Sequence, residues 1–324
     1  MKNVHDSSKF TFIDLFAGIG GMRLGFESAG GTCVLTSEID SKAMQTYQLN
    51  YVEDSSHKYF GDIKKIRNKD IPNHDVLVAG FPCQPYSIAG LRKGLADERG
   101  EVFMEVVRIL KNKKPAAFLL ENVKGILAHD QGKTFAYLIS ILEEVGYSTK
   151  YAILNSMTHS NIPQNRERVF IVGFSDTVKN EKFKFPKPIT LTKTINDLID
   201  STVDSDKYFY DDRFDCYAEI KKSITRTDTV YQWRRQYVRE NKNNVCPTLT
   251  ANMGSGGHNV PLIKVPGGIR KLTPRECANF QGFPKSFKFP KIADSYLYHQ
   301  FGNSVTVPLI GRIAKEMSSA LLND

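Results

Sequence analysis

Residues 11–21 of this 324-residue chain read TFIDLFAGIGG, and this stretch decides the fold. A strand-like apolar run is followed at once by three glycines in the last four positions. Such a turn lets the backbone come close to a nucleotide-like ligand. The dinucleotide pattern GxGxxG needs a glycine three residues after Gly20, where Arg23 stands. The loop therefore favours a nucleoside cofactor without a pyrophosphate and argues against an NAD-dependent dehydrogenase.

The first 175 residues alternate strand-like and helix-like segments. This alternation predicts an α/β fold, a doubly wound parallel sheet with helices on both faces. The predicted strands are residues 11–16, 32–37, 75–79, 116–120, 151–154 and 169–173. The predicted helices of the chain are residues 41–50, which Ser41 can cap, 102–110, 134–144 and 305–322. A further helix is predicted to begin at Thr273-Pro274-Arg275-Glu276, which has a cap residue, a proline at the first helical position and a glutamate at the third.

Two carboxylates follow predicted strands at positions that suit a nucleoside cofactor. Glu38 comes 20 residues after Gly18, where a carboxylate can accept hydrogen bonds from both ribose hydroxyls. Asp62 follows residues 59–61 and could accept from an adenine amino group. Taken singly, each is better explained as a solvated strand-end carboxylate. Together with the glycine loop they favour a cofactor, and S-adenosylmethionine is the natural candidate.

Residues 80–100 interrupt the alternation. They include four glycines and two prolines and show neither a helix nor a strand period. A connection that long inside a compact domain is usually functional. Cys83 directly follows Pro82 at the carboxyl end of a predicted strand, so it is a candidate nucleophile with a restricted presentation. The remaining cysteines are better explained as inert thiols: Cys33, Cys216, Cys246 and Cys277.

Glu121 and two arginines complete the candidate chemistry. Glu121 ends a predicted apolar strand, where burial can raise the pKa of a carboxyl and make it a proton donor. Arg166 and Arg168, two residues apart in an extended segment, should point to the same side and suit an anion or a polarised carbonyl. The alternatives are a solvated loop glutamate and a surface ion-pair ladder through Glu167.

These segments, in this order, resemble the bacterial cytosine-5 DNA methyltransferases of type II restriction-modification systems. Any one motif is weak, but the ordered set is specific and covers nearly the whole chain. Tyr86 stands where phenylalanine is common and Ile39 where a larger aromatic is frequent, and neither departure removes a catalytic group. The motifs are residues 16–21, Pro82-Cys83-Gln84, Glu121-Asn122-Val123, Gln164-x-Arg166-x-Arg168, 270–276 and 300–305.

The resemblance implies covalent catalysis on a cytosine flipped out of duplex DNA. Cys83 would attack ring carbon 6, and Glu121 would hold and partly protonate ring nitrogen 3. Arg168, with Arg166 alongside, would stabilise the carbonyl oxygen. Carbon 5 would take the methyl group of S-adenosylmethionine, and residues 80–100 would form a lid over the DNA. No metal is implied.

The resemblance also implies the ligand contacts. Phe16 would pack on the adenine and Glu38 would hold the ribose. The implied cofactor-binding residues are Phe16, Gly18, Gly20, Glu38, Ile39, Asp62, Ile63, Pro82, Val102, Asn303 and Ser304. The implied DNA contacts are Gln84, Ser87, Arg99, Arg234, Arg235 and Thr248.

Two domains are expected on the same grounds. Residues 221–242 carry seven basic and two acidic side chains, interleaved with aromatic residues, which suits phosphate contact and groove insertion. The predicted bounds are residues 1–188 and 296–324 for a catalytic and cofactor-binding domain, 189–280 for a smaller target-recognition domain, and 281–295 for a hinge.

Composition narrows the class of partner. The 44 Lys+Arg and 35 Asp+Glu give a net charge of +9, which is consistent with a polyanion such as nucleic acid. Five cysteines without a CxxC pair argue against a disulfide framework and a structural zinc site. No apolar run approaches the ~18 residues that span a bilayer, and the polar start lacks a signal peptide. We expect a cytoplasmic monomer acting on double-stranded DNA, with a cognate restriction endonuclease that acts on the same site and need not bind it.

Two rival functions are weighed against this expectation. One is a tRNA cytosine-5 methyltransferase on the same framework, against which stands the long segment between Arg168 and Arg270, sized for reading duplex DNA. The other is a non-enzymatic DNA-binding homologue, which the intact set of Cys83, Glu121 and Arg168 disfavours.

Overall fold

The computed structural model describes residues 10–51, 56–82, 98–254 and 260–322, with the backbone alone for 98–101. The chain divides into two compact units. Unit 1 comprises Met1–Leu154, Glu167–Lys187 and Leu309–Asp324, and unit 2 comprises Asn155–Arg166 and Pro188–Pro308.

The secondary structure of the described residues is as follows. The strands are β1 (Phe10–Leu15), β2 (Gly31–Ser37), β3 (Lys58–Phe60), β4 (Val76–Gly80), β5 (Ala117–Val123), β6 (Ser148–Asn155), β7 (Gln164–Asn165), β8 (Glu167–Phe174), β9 (Phe209–Tyr210), β10 (Tyr231–Trp233), β11 (Val238–Glu240), β12 (Cys246–Pro247), β13 (Leu262–Val265) and β14 (Gly268–Lys271). The helices are α1 (Gly21–Ser28), α2 (Ser41–Asn50), α3 (Glu98–Lys113), α4 (Lys133–Glu144), α5 (Ser156–His159), α6 (Thr177–Lys182), α7 (Tyr217–Ser223), α8 (Pro274–Phe280), α9 (Asp294–Asn303) and α10 (Val307–Leu322).

The sheet of unit 1 has seven strands in the order β3-β2-β1-β4-β5-β8-β6. β1 pairs in parallel with β2 and β4, and β4 with β5, which confirms the predicted doubly wound α/β sheet. The strand order reverses between β1 and β4, and open α/β sheets bind ligands outside the carboxyl ends of the strands at such a point. The candidate site should therefore follow these two strands.

β8 departs from the expected all-parallel sheet, because it pairs antiparallel with β5. A parallel return needs a crossover of roughly a dozen or more residues, usually a helix. The connection from β6 to β8 is 11 residues long and holds only the four-residue helix α5 and the two-residue strand β7. The antiparallel strand has a consequence for the site, because it brings the beginning of β8 beside the carboxyl end of β5.

The central strands of unit 1 are buried on both faces. Leu15 of β1, Leu77 of β4, Leu120 of β5 and Phe103 of α3 belong to one core cluster and are fully buried. Strands that are covered on both faces have nearly continuous apolar sequences, and for that reason these strands could be predicted from the sequence. Burial of each such side chain stabilises the fold by about 1.5–3 kcal/mol.

One contact caps helix α2 of unit 1, and another packs helix α1 against helix α10. The N-cap of α2 is Asp40, whose Oδ1 accepts from the N–H groups of Lys42 and Ala43, so the predicted cap, Ser41, is wrong by one residue. A Cβ on Gly25 of α1 would come within 2.4 Å of the Ile310 side chain in α10. The C-terminal helix therefore packs closely against the helix that follows the glycine loop.

Unit 2 contains a second, five-stranded sheet in the order β11-β10-β13-β14-β9. All four pairs of neighbouring strands in this sheet are antiparallel. Ile220 of α7 packs with Tyr231 and Leu262 in a separate small core. The sequence pattern predicts no strands here, because segments of two to four residues are too short to show a period. Two further strands of unit 2, β7 and β12, pair in parallel.

The bounds of the units differ from the predicted domains in residues 155–166, 188 and 296–308, which lie in unit 2. Buried hydrogen bonds explain where these residues pack. Gln164 Nε2 donates to the carbonyl of Phe280 over 2.6 Å, and Gln281 Nε2 donates to that of Phe301 over 2.7 Å. The predicted hinge, 281–295, lies in unit 2 as well.

Helix α8 begins as predicted. Thr273 and Glu276 form a reciprocal capping box with Pro274 at the first helical position. The Glu276 carboxylate also pairs with the Arg270 guanidinium at 2.7 Å, and both side chains are fully buried. Among the described residues, no helix has the length and apolar character needed to cross a membrane.

Candidate active site

The loop after β1 is a left-handed turn. Phe16, Gly18 and Gly20 have φ of 55°, 56° and 83°, a region that favours glycine. Gly18 and Gly20 have different roles. A Cβ on Gly20 would come within 2.4 Å of the Tyr51 ring, whereas a Cβ on Gly18 would meet no atom within 4 Å. Gly20 is thus needed for packing, and the space beside Gly18 is open to a ligand.

Glu38 lies against this loop. Its Oε2 accepts the Gly18 N–H at 2.7 Å and its Oε1 accepts the Asp40 N–H at 2.7 Å. Burial raises the pKa of the Glu38 carboxyl, and these two backbone bonds oppose the shift. A carboxylate oxygen can accept more than one hydrogen bond. Glu38 therefore positions the loop and keeps acceptor capacity on both oxygens.

The residues predicted to flank the adenine differ in exposure. Ile39 is 74% exposed, as an apolar ligand contact requires. Ile63 is 4% exposed and packs in the core, so its predicted contact with the adenine could involve only its backbone. Asp62 caps a short 3-10 helix by accepting the Lys64 N–H at 3.0 Å. Val102 packs against the same core from α3.

A buried polar group below the loop was missed by the sequence analysis. Asp14, in β1, is fully buried, and burial raises the pKa of its carboxyl to about 8, while the charge of Arg23 opposes the shift. The Arg23 guanidinium donates to Tyr47 Oη at 3.2 Å and lies over the Tyr51 ring. The signal for this network was the pair of charged residues in an otherwise apolar strand-turn-helix segment.

The ends of β4, β5 and β8 bring together the predicted proton donor and the predicted oxyanion-binding arginine. Gly80 is paired with Glu121 in the sheet register, and Val123 with Arg168. Arg168 Nε lies 3.0 Å from Glu121 Oε1, and the two side chains are 15% and 12% exposed. The two functional groups therefore form a largely buried ion pair beside the carboxyl end of β4, on the side of that strand away from β1.

Asn122 connects β5 to the segment that carries Cys83. The Asn122 side chain is 2% exposed, and its Nδ2 donates to the carbonyl of Phe81 over 3.1 Å. Its Oδ1 accepts the Val123 N–H at 2.8 Å. The amide thus holds the backbone two residues before Cys83. Cys83, Gln84 and Ser87 lie outside the described residues, as does the side chain of Arg99.

Arg166 does not share the environment of Arg168. It is 2% exposed, and its guanidinium donates to the carbonyls of Leu249, Gly302 and Ser304, all in unit 2. A guanidinium that is almost fully buried and donates to three backbone carbonyls holds segments of unit 2 together. The expectation that the two arginines act side by side is therefore corrected: Arg166 is a positioning residue.

The other predicted contacts lie in unit 2. Asn303 is exposed, and its Nδ2 is hydrogen-bonded to His299 Nε2 at 3.0 Å. The backbone carbonyl of Ser304 accepts a hydrogen bond from the Arg166 guanidinium. Arg234 and Arg235 are exposed at the tip of the β10–β11 hairpin, which closes with a hydrogen bond from Arg234 N–H to the Tyr237 carbonyl. Thr248 Oγ1 donates to the Asn165 carbonyl at 2.7 Å.

No cluster of three or more metal-ligating His, Cys, Asp or Glu side chains occurs within the described ranges. The thiols of Cys246 and Cys277 are buried, and burial raises the pKa of each. They are unsuited to nucleophilic work, as the sequence analysis expects.

The chain is similar to known proteins along nearly its whole length. A family model described as "C-5 cytosine-specific DNA methylase" matches residues 10–319. The type II methyltransferase M.Bsp6I of Bacillus sp. (strain RFL6) is 50% identical over 312 residues, which cover 95% of this chain and 98% of that protein. The type II methyltransferase M.DsaV of Dactylococcopsis salina is 43% identical over 316 residues, 97% of this chain and 87% of that protein.

A solved structure shares the fold. The Dnmt2 methyltransferase of S. pombe superposes with a TM-score of 0.75 at 21% identity, covering 97% of this chain and 100% of that one. At that identity the likeness concerns the architecture alone.

Proposed function

This chain belongs to the family of C-5 cytosine-specific DNA methylases, and we propose that it transfers a methyl group from S-adenosylmethionine to carbon 5 of a specific cytosine in duplex DNA. The observation that carries the proposal is the Glu121–Arg168 pair at the ends of β5 and β8. It stands beside the carboxyl end of β4, and Cys83 follows that strand by three residues.

The residues present suit the proposed cofactor. Gly18 leaves open space, Glu38 has acceptor capacity for two ribose hydroxyls, and Ile39 offers exposed apolar surface for a base. When bound, S-adenosylmethionine supplies an electrophilic methyl group. Phe16, Asp62 and Pro82 remain predicted contacts from unit 1, and Asn303 and Ser304 from unit 2.

The protein residues act on the base. The Cys83 thiolate forms a bond to ring carbon 6, while Glu121 donates a proton to ring nitrogen 3 and Arg168 stabilises the carbonyl oxygen. These steps place electron density on carbon 5, which would form the new bond to the methyl carbon while the bond from that carbon to the cofactor sulfur breaks and the sulfonium becomes a neutral thioether. Loss of the carbon 5 proton to a base, the return of the nitrogen 3 proton to Glu121 and cleavage of the bond to Cys83 restore the ring. A stacked base is out of reach for this chemistry, so the target cytosine must be flipped out.

The biological setting proposed for this activity is a restriction-modification system. The similarity to two type II methyltransferases and the net charge of +9 support a DNA substrate. We expect a monomer in the cytoplasm that marks the site cut by a cognate endonuclease without binding that enzyme. The residues of unit 2 around the β10–β11 hairpin are proposed to recognise the DNA sequence.

Methyl transfer to duplex DNA and to tRNA, measured side by side with labelled S-adenosylmethionine, tests the proposal. Wild-type protein should label duplex DNA at cytosine. Cys83→Ser should abolish transfer because a hydroxyl cannot replace the thiolate, while Cys33→Ser, at a buried thiol, serves as the matched control. DNA carrying 5-fluorocytosine at the target should form a denaturation-resistant adduct with the wild type. Labelling of tRNA alone, or full activity of Cys83→Ser, would contradict the proposal.

A further inference from the structure

A polar groove of about 440 Å³ lies wholly within unit 2. Gln232, Arg234 and Arg239 line it from the β10–β11 hairpin, and Asn165 lines it from β7. Among its lining residues Pro247 alone is apolar. Base edges are read by side chains whose donors and acceptors are free. The free groups of these side chains therefore decide what the groove can recognise.

Gln232 presents hydrogen-bond donors. Gln232 and Arg239 are cross-strand partners, and an Arg239 guanidinium N–H donates to Gln232 Oε1. A guanidinium has no acceptor, so this contact settles which end of the amide faces Arg239. Gln232 is 7% exposed, and its Nε2 has no acceptor in the part of the chain that the structure describes. A nearly buried amide thus leaves two N–H groups at the groove.

Asn165 presents donors by a similar chain of reasoning. Asn155 Oδ1 accepts the N–H groups of Met157 at 3.2 Å and Arg166 at 3.3 Å, so Asn155 Nδ2 must be a donor. It donates to Asn165 Oδ1 at 2.7 Å. The carbonyl end of the Asn165 amide is therefore occupied, and its Nδ2 is left for a ligand.

The arginines of the groove differ from others in unit 2. The guanidiniums of Arg213 and Arg226 are neutralised by Asp211 and Asp228 at 2.6 and 2.8 Å. Arg239 has no acidic partner within the described ranges, and its one bond is to the neutral Gln232. Arg239 thus keeps its charge and most of its donors, and the bond to Gln232 restricts its orientation.

From this pattern we infer that the groove reads a G·C base pair, with Arg239 and Gln232 donating to guanine in the major groove. Guanine presents two acceptors there, O6 and N7, whereas adenine presents one acceptor and one donor. Asn241 has the opposite chemistry: its Nδ2 donates to the Val245 carbonyl, which leaves Oδ1 as an acceptor for the amino group of the paired cytosine. The inference rests on the proposed function and names the base pair that selects the substrate.

Phosphate oxygens are acceptors too, but the groove is better suited to a base. A phosphate contact needs charge and tolerates many orientations, as at the exposed tip residue Arg235, which does not line the groove. In the groove, a neutral buried amide and an oriented guanidinium stand side by side. Bidentate recognition of a flat edge requires this restriction of orientation.

The test uses the full-length protein with Arg239→Lys and Gln232→Glu, assayed on a library of randomised duplexes whose methylated cytosines are read by sequencing. Lysine keeps the charge but loses the planar fork, and glutamate replaces amide donors with an acceptor. At one guanine position, each variant should lose roughly 5- to 150-fold of the preference over adenine, which is about 1–3 kcal/mol. Arg213→Lys, at a paired arginine outside the groove, should leave the preference unchanged.

A substrate with 7-deazaguanine at that position sharpens the test. The analogue lacks the N7 acceptor, so the wild type should methylate it more slowly, while Arg239→Lys should show little further loss. An unchanged methylated sequence in both variants would overturn the inference, as would a uniform loss on all sequences with a weaker salt dependence. A wild type inactive on every duplex would instead overturn the proposed function itself.

Discussion

The active-site end of unit 1 and the groove of unit 2 differ in whether their charged side chains already have hydrogen-bond or ion-pair partners. In unit 1, Glu121 and Arg168 are paired with each other, and both oxygens of Glu38 accept backbone N–H groups. In unit 2, Arg234 and Arg239 line a groove without an acidic partner among the described residues. Catalytic groups are held in place before the substrate arrives. Groups that recognise DNA must instead keep their donors free for it.

The largest expected effect concerns the paired carboxylate in unit 1. Glu121→Gln removes the carboxyl group proposed to hold ring nitrogen 3 and to exchange its proton, and it breaks the ion pair with Arg168, so the rate of methyl transfer should fall by about 10²–10⁴-fold. Affinity for the DNA duplex should change little, because the contacts that position DNA lie elsewhere. Single-turnover kinetics together with DNA-binding titrations separate the two quantities.

The matched control for this change is Glu144→Gln, at an exposed glutamate at the end of α4. It should transfer methyl groups at the wild-type rate. A near-normal rate for Glu121→Gln would show that the ion pair with Arg168 only stabilises the sheet, and the contrast between the two regions would lose its catalytic half.

A smaller effect is expected at the cofactor loop. Glu38→Ala should weaken the binding of S-adenosylmethionine by about 1–3 kcal/mol, the contribution of hydrogen bonds to a charged group. Isothermal titration calorimetry measures the affinity directly, and circular dichroism checks that the fold persists. If the affinity of Glu38→Ala equals that of the wild type, the carboxylate only positions Gly18 and Asp40 and does not contact the ribose.

The smallest effect is expected for an unpaired arginine at the hairpin tip of unit 2. Arg235 has φ of 66°, which asparagine tolerates, so Arg235→Asn removes the charge without straining the turn. Loss of one phosphate contact should lower the salt slope of DNA binding by about one and weaken all sequences alike. Binding titrations over a range of salt concentrations give the slope.

Arg213→Asn is the matched control, because the Arg213 guanidinium is already neutralised by Asp211. Its salt slope should equal that of the wild type. If Arg235→Asn changed the methylated sequence and left the salt slope intact, the tip arginine would be reading a base, and the division of labour between the tip and the groove would be reversed.

Much of unit 1 could be predicted because its strands appear as apolar runs that are continuous in the sequence. Apolar runs located β1, β4 and β5, and the strand-end position of Glu121 indicated where its carboxylate would lie. The spacing of Glu38 from Gly18 predicted a contact with the ribose, which stays a prediction, whereas the hydrogen bond from Gly18 N–H to Glu38 came only from the structure. Unit 2 was less predictable, since strands of two to four residues leave no period in the sequence.

The amino-acid sequence by itself determined the doubly wound sheet, the family, the capping box at Thr273 and the chemical set at the ends of β4, β5 and β8. Each depends on residue types and on spacing along the chain. Only the tertiary structure decided that Arg166 serves unit 2, because its acceptors lie 83, 136 and 138 residues away. The tertiary structure also decided that the NH2 groups of Gln232 and Asn165 face the groove. Each side-chain amide can point either way until folding places a hydrogen-bond donor beside it, which then binds the amide oxygen.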